Sequence, residues 1–133
     1  MTESCVFCYP DLETEQVVLL SNEYCLFLQL KRSQLKGNQL EGAGVIVPRA
    51  HRETAFDLTT EEWVATQQLL QEVKSYLDET HRPKGYNLGW NFGQVAGQHI
   101  GHAHFHVIPR YEDEPLVGKG IRYMFKHEAN KRR

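Results

Sequence analysis

Several things are scarce in this chain, and each scarcity excludes something. No apolar run approaches the ~20 residues that span a bilayer, so a membrane-crossing helix is not expected. Charge of either sign is not in excess. Fifteen basic residues against 17 acidic ones leave a formal charge of −2, with no global pull towards nucleic acid or a membrane surface. Cysteine is rare and odd in number, three in 133 residues, which does not suggest a disulfide framework. The opening Met1-Thr2-Glu3-Ser4 lacks the basic and apolar regions of a secretory leader, so a cytoplasmic protein is expected. Internal repeats, low-complexity tracts and linkers are also missing. One domain over residues 1–133 follows, since domains commonly run ~100–150 residues.

What the chain does have is concentrated between Gly97 and Arg110, G-Q-H-I-G-H-A-H-F-H-V-I-P-R. From His102 to Ile108 histidines alternate with apolar residues, the period of a strand. The spacing predicts a strand over 102–108. His102, His104 and His106 would then share one face, their backbones about 6.5 Å apart in sequence steps of two. Ala103, Phe105 and Val107 would face a core. Imidazole serves near neutral pH as nucleophile, general acid or base, or metal ligand.

The remaining chain reads as several strands and one long helix. Val17–Leu20 and Tyr24–Leu28, separated by Ser21-Asn22-Glu23, predict a hairpin. Lys31–Gly42 reads as a loop, and Gly44–Pro48 as a buried strand. Thr59 and Thr60 with Glu61 and Glu62 open a helix, with Trp63, Thr66, Leu70, Val73 and Leu77, joined by Leu69 and Tyr76, at helical spacing. Arg82-Pro83 should end it near His81. Gly85–Phe92 reads as a strand and Gly93–Gly101 as a Gly-rich loop. Without regular β-α alternation, this order argues for α+β: a mainly antiparallel sheet carrying the helix on one face.

Cys5-x-x-Cys8 is half of a tetrahedral zinc site, which would need histidines to complete it; His51 and His102 are candidates at strand ends. A redox pair would want a preceding strand and a helix beginning at the first cysteine, and neither is visible. A dithiol without function is the remaining reading. Cys25, inside an apolar run, reads as a buried small hydrophobe. For the three imidazoles, two chemistries compete: a catalytic three-histidine metal site, or nucleophilic attack on phosphorus. The second would draw on donors in the loop before them, the amides of Gly97 and Gly101 and the side chains of Gln98, Asn91 and His99.

These residues carry a resemblance. His102-Ala103-His104-Phe105-His106-Val107-Ile108 resembles the signature of the histidine triad (HIT) family. Gly97-Gln98 before it, Pro109-Arg110 after it, Asn91 and Gly42–His51 fit the same pattern, and Cys5-x-x-Cys8 resembles its zinc-bearing, largely bacterial branch. The resemblance implies an antiparallel α+β fold, usually a homodimer, acting at the α-phosphate of dinucleoside polyphosphates or nucleoside phosphoramidates. It implies His104 as the nucleophile that forms a nucleotidyl-histidine intermediate, His106 and Gln98 as phosphate binders, and Asn91 as their support. It also implies a structural zinc on Cys5, Cys8, His51 and His102. The chain departs from the family at three places. Gln29 stands near an acidic ribose-binding position, Ala43 replaces a histidine, and His99 replaces a Ser or Thr. Gln29 and His99 are therefore carried as substrate-side candidates. A nucleotidyltransferase and a nucleotide-binding module with structural zinc are the alternatives to a hydrolase. The basic end, Lys119 to Arg133, reads as a solvated tail or a polyphosphate or RNA contact. For the whole chain, nucleic acid is not an expected partner.

Overall fold

Thr59 starts the long helix α1 (Thr60–Thr80) with a capping box in the computed structural model, which describes residues 2–132. Its hydroxyl accepts from the Glu62 amide at 3.1 Å, and the Glu62 carboxylate accepts from the Thr59 amide at 2.8 Å. The helix stops at His81. Arg82 follows in a left-handed conformation, φ +54°, and its amide still reaches the Leu77 carbonyl. The inward stripe runs Ala65, Leu69, Val73, Leu77, flanked by buried Glu62 and Thr66. Leu70 is half-buried against the same core, whereas Trp63, also at helical spacing, lies off that stripe. Trp63 is 45% exposed, turned towards the Trp90 ring 5.7 Å away.

Five strands form one antiparallel sheet in the order β1-β2-β3-β5-β4. They are β1 (Gln16–Ser21), β2 (Cys25–Leu30), β3 (Gly44–Pro48), β4 (Gly85–Trp90) and β5 (Phe105–Arg110). The β1–β2 hairpin closes where predicted. Asn22 makes the turn, its Oδ1 accepting from the amides of Tyr24 and Cys25, and its Nδ2 donating to Ala65 of the helix at 2.8 Å. Gly44 opens β3 because nothing larger fits. A Cβ there would lie 2.5 Å from the Leu28 carbonyl oxygen and 2.7 Å from the Phe27 ring.

Strand alternation gives the sheet two differently covered faces. Cys25, Phe27, Ile46 and Val107 pack under Ala65, Leu69, Val73 and Leu77 of α1. Leu26, Leu28 and Val47 point the other way, where Cys5 and Phe7 of the N-terminal segment cover them. The helix covers one face as expected; the N-terminal cover on the second was not anticipated.

The last strand begins later than predicted. Pairing of β3 with β5 runs through Gly44–Val107, Val45–His106 and Ile46–Phe105 and stops there. His102–His104 leave the ladder because the Ala103 amide donates instead to the Arg52 carbonyl, at 2.7 Å. The two chains splay past Ile46 and Phe105, and the space between them holds the histidines.

Candidate metal centre and histidine site

Four donors meet at the splay. Nδ1 of His102 lies 3.4 Å from Cys5 Sγ, 3.5 Å from Cys8 Sγ and 3.2 Å from His51 Nδ1, and Cys8 Sγ lies 3.2 Å from His51 Nδ1. All four ligand atoms fall within 4.8 Å of one another. Zinc bond lengths of about 2.3 Å to sulfur and 2.0–2.1 Å to nitrogen give tetrahedral edges of about 3.3–3.7 Å, which these separations approach. The other ring nitrogen of His102, Nε2, donates to the Pro48 carbonyl at 2.8 Å, an arrangement that fixes the tautomer and turns Nδ1 towards the cluster. Burial drives the His102 pKa down to about 4, so the ring is neutral and its lone pair free at physiological pH. Burial, with the Cys5 hydrogen bond, pushes the Cys8 thiol up to about 11, away from thiolate unless a cation draws the proton off. The donor set, spacing and second hydrogen bond all fit a tetrahedral metal ion.

The other two imidazoles do not join that cluster. His104 points its Nδ1 at the His102 carbonyl oxygen, 2.8 Å away. A carbonyl only accepts, so Nδ1 carries the proton and Nε2 keeps the lone pair. No partner among the described residues occupies that Nε2. The His106 ring sits 5.0 Å from the His104 ring, and Phe7, between the two cysteines, backs His104 at 5.0 Å and His102 at 5.7 Å. Burial depresses the pKa of both His104 and His106, and for His106 the neighbouring His104 adds to it. A catalytic metal held by all three imidazoles is therefore not the arrangement found.

The remaining candidates divide. Asn91 follows β4 and lines a 240 Å³ cavity together with His106. Gln98 holds its loop: Nε2 donates to the Glu53 carbonyl at 2.8 Å, and Oε1 accepts from the Gly93 amide at 2.9 Å. His99 is exposed on the same loop. Gln29 is not brought to the site. Two residues past Phe27 on β2, it shares the helix-side face, and its Nε2 donates to Gly42 at 3.0 Å.

Sequence reasoning missed the residues that hold the site. Arg52 offers its carbonyl to Ala103 and its guanidinium to buried Glu62 at 3.0 Å, linking the histidine segment to the first turn of α1. The hydrophobic Phe7 inside Cys-x-x-Cys was a visible signal. The Arg52–Glu62 pair carried none, since neither lies in a motif.

An antiparallel sheet with one long helix behind it, and a histidine run entering its penultimate position in space, defines a small α+β class. The model of the HIT domain matches residues 11–113, and the chain belongs to that family. An uncharacterized HIT-like protein of Methanocaldococcus jannaschii is 31% identical over 118 residues, covering 86% of this chain and 85% of that one. The adenosine 5'-monophosphoramidase of Schizosaccharomyces pombe is 29% identical over 80 residues, 60% of this chain and 57% of that protein. The bis(5'-adenosyl)-triphosphatase of Dictyostelium discoideum is 30% identical over 101 residues, 76% and 64%. Among solved structures, a Bacillus anthracis HIT family protein superposes with a TM-score of 0.70 at 25% identity, covering 85% of this chain and 77% of that one. A Zn-bound histidine triad family protein from Mycobacterium smegmatis superposes at 0.69 with 23% identity, covering 89% and 83%.

Proposed function

We propose that the protein is a hydrolase acting at the α-phosphate of nucleotide conjugates, dinucleoside polyphosphates or nucleoside phosphoramidates, through a nucleotidyl intermediate on His104. The observation that carries this reading is the His104 ring itself. Its proton is fixed on Nδ1 by the His102 carbonyl, and its free Nε2 stands beside His106. Relatives named as an adenosine phosphoramidase and an adenosyl triphosphatase support the substrate class.

In this mechanism His104 Nε2 attacks the α-phosphorus. A nitrogen–phosphorus bond forms, the bond from phosphorus to the bridging oxygen or nitrogen breaks, and its electron pair leaves with the departing group. Water then attacks phosphorus, the nitrogen–phosphorus bond breaks, and the electron pair returns to His104, releasing the nucleoside monophosphate. His106 Nε2, buried and without a partner among the described residues, suits a phosphate oxygen. Asn91 lines the same cavity and would support the phosphate there. Gln98 would act by holding the loop, and exposed His99 would meet the substrate from outside. Zinc on Cys5, Cys8, His51 and His102 would be structural, supplying a fixed tetrahedral crosslink. A Cys-x-x-Cys pair given to a metal, beside a buried Cys25 thiol, accords with a cytoplasmic setting. A homodimer is supported by the position of β4 at one end of the sheet and the aromatic run beside it, Trp63, Trp90, Phe92 and Phe56, the last 86% exposed.

The test is turnover of diadenosine polyphosphates and adenosine phosphoramidates beside a His104→Ala control, with a denaturing alkaline quench to trap the covalent adduct. Nucleotide release and an acid-labile adduct in the wild type alone are expected. No release from either substrate class, or equal rates in the variant, would sink the reading.

A further inference from the structure

The basic end of the chain is solvent-exposed over its described residues in this structure, and the stretch leading into it is tethered. Arg110, the last residue of β5, uses its whole guanidinium to hold the segment beyond it. Nη2 donates to Glu114 at 2.6 Å and to the Leu116 carbonyl at 2.8 Å, while Nη1 donates to Asn87 of β4 at 2.6 Å and to the Lys119 carbonyl. The chain is thereby folded back over β4. Ile121 lands where a Cβ on Gly89 would touch it, at 3.9 Å, and lines the 240 Å³ cavity of His106 and Asn91. Gly89 is itself the register partner of His106.

A second cavity, of 780 Å³, continues from the first. Asn87 and Ile121 line both. Its other polar walls are Lys119, Arg122, Lys126 and His127, and none of its described lining residues is acidic. Lys119, Arg122 and Lys126 make no ion pair among the described residues, and Lys119 only rests over the Tyr123 ring at 5.0 Å. A chain of formal charge −2 therefore concentrates unpaired cations within one cavity that adjoins the histidine site. Arg133, the end of the basic run, lies outside the described residues. The segment also lies beyond the stretch that the HIT domain model matches, which ends at residue 113.

We propose that Lys119, Arg122 and Lys126 form a subsite for an anionic leaving group, the distal phosphates of a polyphosphate chain whose α-phosphorus faces His104. This rests on the nucleotide-hydrolase reading above. When the bond to the bridging oxygen breaks, the electron pair stays on the departing polyphosphate, and its added negative charge develops within reach of these cations. A phosphoramidate, whose leaving group is a neutral amine after protonation, gains nothing from them.

The triple variant Lys119→Ala/Arg122→Ala/Lys126→Ala in the full chain tests this in two ways. For a dinucleoside tetraphosphate, kcat/KM should fall about tenfold or more and lose most of its dependence on ionic strength, while phosphoramidate turnover changes less than about twofold. Separately, calorimetric titration with inorganic tripolyphosphate should show binding to the wild type and to His104→Ala, and at least about tenfold weaker binding to the triple variant. The titration is independent of catalysis, so inactivity on every substrate with tripolyphosphate binding retained would remove the hydrolase reading and leave the subsite. Equal loss on both substrate classes, or unchanged tripolyphosphate affinity, would overturn the subsite. So would loss of affinity for a single-stranded RNA oligomer with the tripolyphosphate isotherm unchanged, which would assign the patch to nucleic acid.

Discussion

On the helix side of the sheet, buried carbon does nearly all the work: Phe27, Ile46 and Val107 close against Leu69, Val73 and Leu77. On the opposite side the same strands offer less, Leu26, Leu28 and Val47, and their cover is a short N-terminal segment with 3-10 turns in place of a long helix. That face instead collects Cys5, Cys8, His51 and the three alternating histidines. One face is held by area removed from water, worth roughly 25 cal/mol per Å² of apolar surface. The other is held by few contacts of high directionality, which also leave ring nitrogens free. A chemically active face needs polar groups that are not all satisfied, and such a face cannot be the one on which most of the stability rests.

That contrast can be broken from either side. His104→Ala is expected to lower turnover about 10⁴-fold with metal content and melting temperature nearly unchanged, since its ring is outside the four-donor cluster. Steady-state kinetics with elemental analysis would check both halves. Cys5→Ser should do the reverse in kind. It should lose the bound metal and about 4 kcal/mol of stability, because a buried crosslink between the N-terminus and the histidine segment goes with it. An unchanged metal stoichiometry would refute the cluster. Leu69→Ala, on the carbon side, should cost about 3 kcal/mol in urea denaturation while leaving metal content intact.

Glu62 joins the two sides, and pH reads it. Burial alone would raise its carboxyl, but hydrogen bonds from Arg52 and Thr59 hold it below the ordinary carboxylate value. A depressed folded-state value means that its stabilisation is full above the unfolded value of about 4.3 and is lost as pH falls through the folded one. Glu62→Gln should cost about 2 kcal/mol at pH 7 and flatten the acid limb of the stability curve below about pH 4.5. A limb as steep as wild type would show that the charge of Glu62 contributes nothing. Smallest of all, Thr59→Ala should remove about 1 kcal/mol, the worth of a helix cap, by thermal melting.

The elements most legible in the sequence were those with a local cause. Thr59 with Glu62 announced α1, Asn22 announced the hairpin, and Pro48 closed β3, each through a few neighbouring residues. The cysteine pair and His102 were legible through donor chemistry and family likeness, and the structure brings them together. What was not legible depends on partners distant along the chain. The strand over 102–108 read as regular alternation, yet Arg52 captures the Ala103 amide and delays pairing to Phe105. Gln29 was carried as a substrate-side candidate by family likeness, and strand parity puts it on the face of Phe27, opposite to His106. Trp63 matched a helical spacing, but its ring turns to Trp90 at the end of β4, a partner 27 residues on. The basic end read as a solvated tail and its described residues are exposed, but nothing in its composition signals that Arg110 will tether the stretch leading into it.

The four donors are also widely spread along the chain. Cys5 and His102 are 97 residues apart, and Cys8 and His51 are 43 apart. A growing chain displays three of the four donors once His51 has emerged, yet it cannot complete the set until the stretch leading into β5 has been made. Closing so long a loop is slow and entropically costly compared with forming the hairpin or the helix. The complete clamp therefore reports on completion: only a chain synthesised through the histidine run can bring the fourth donor home.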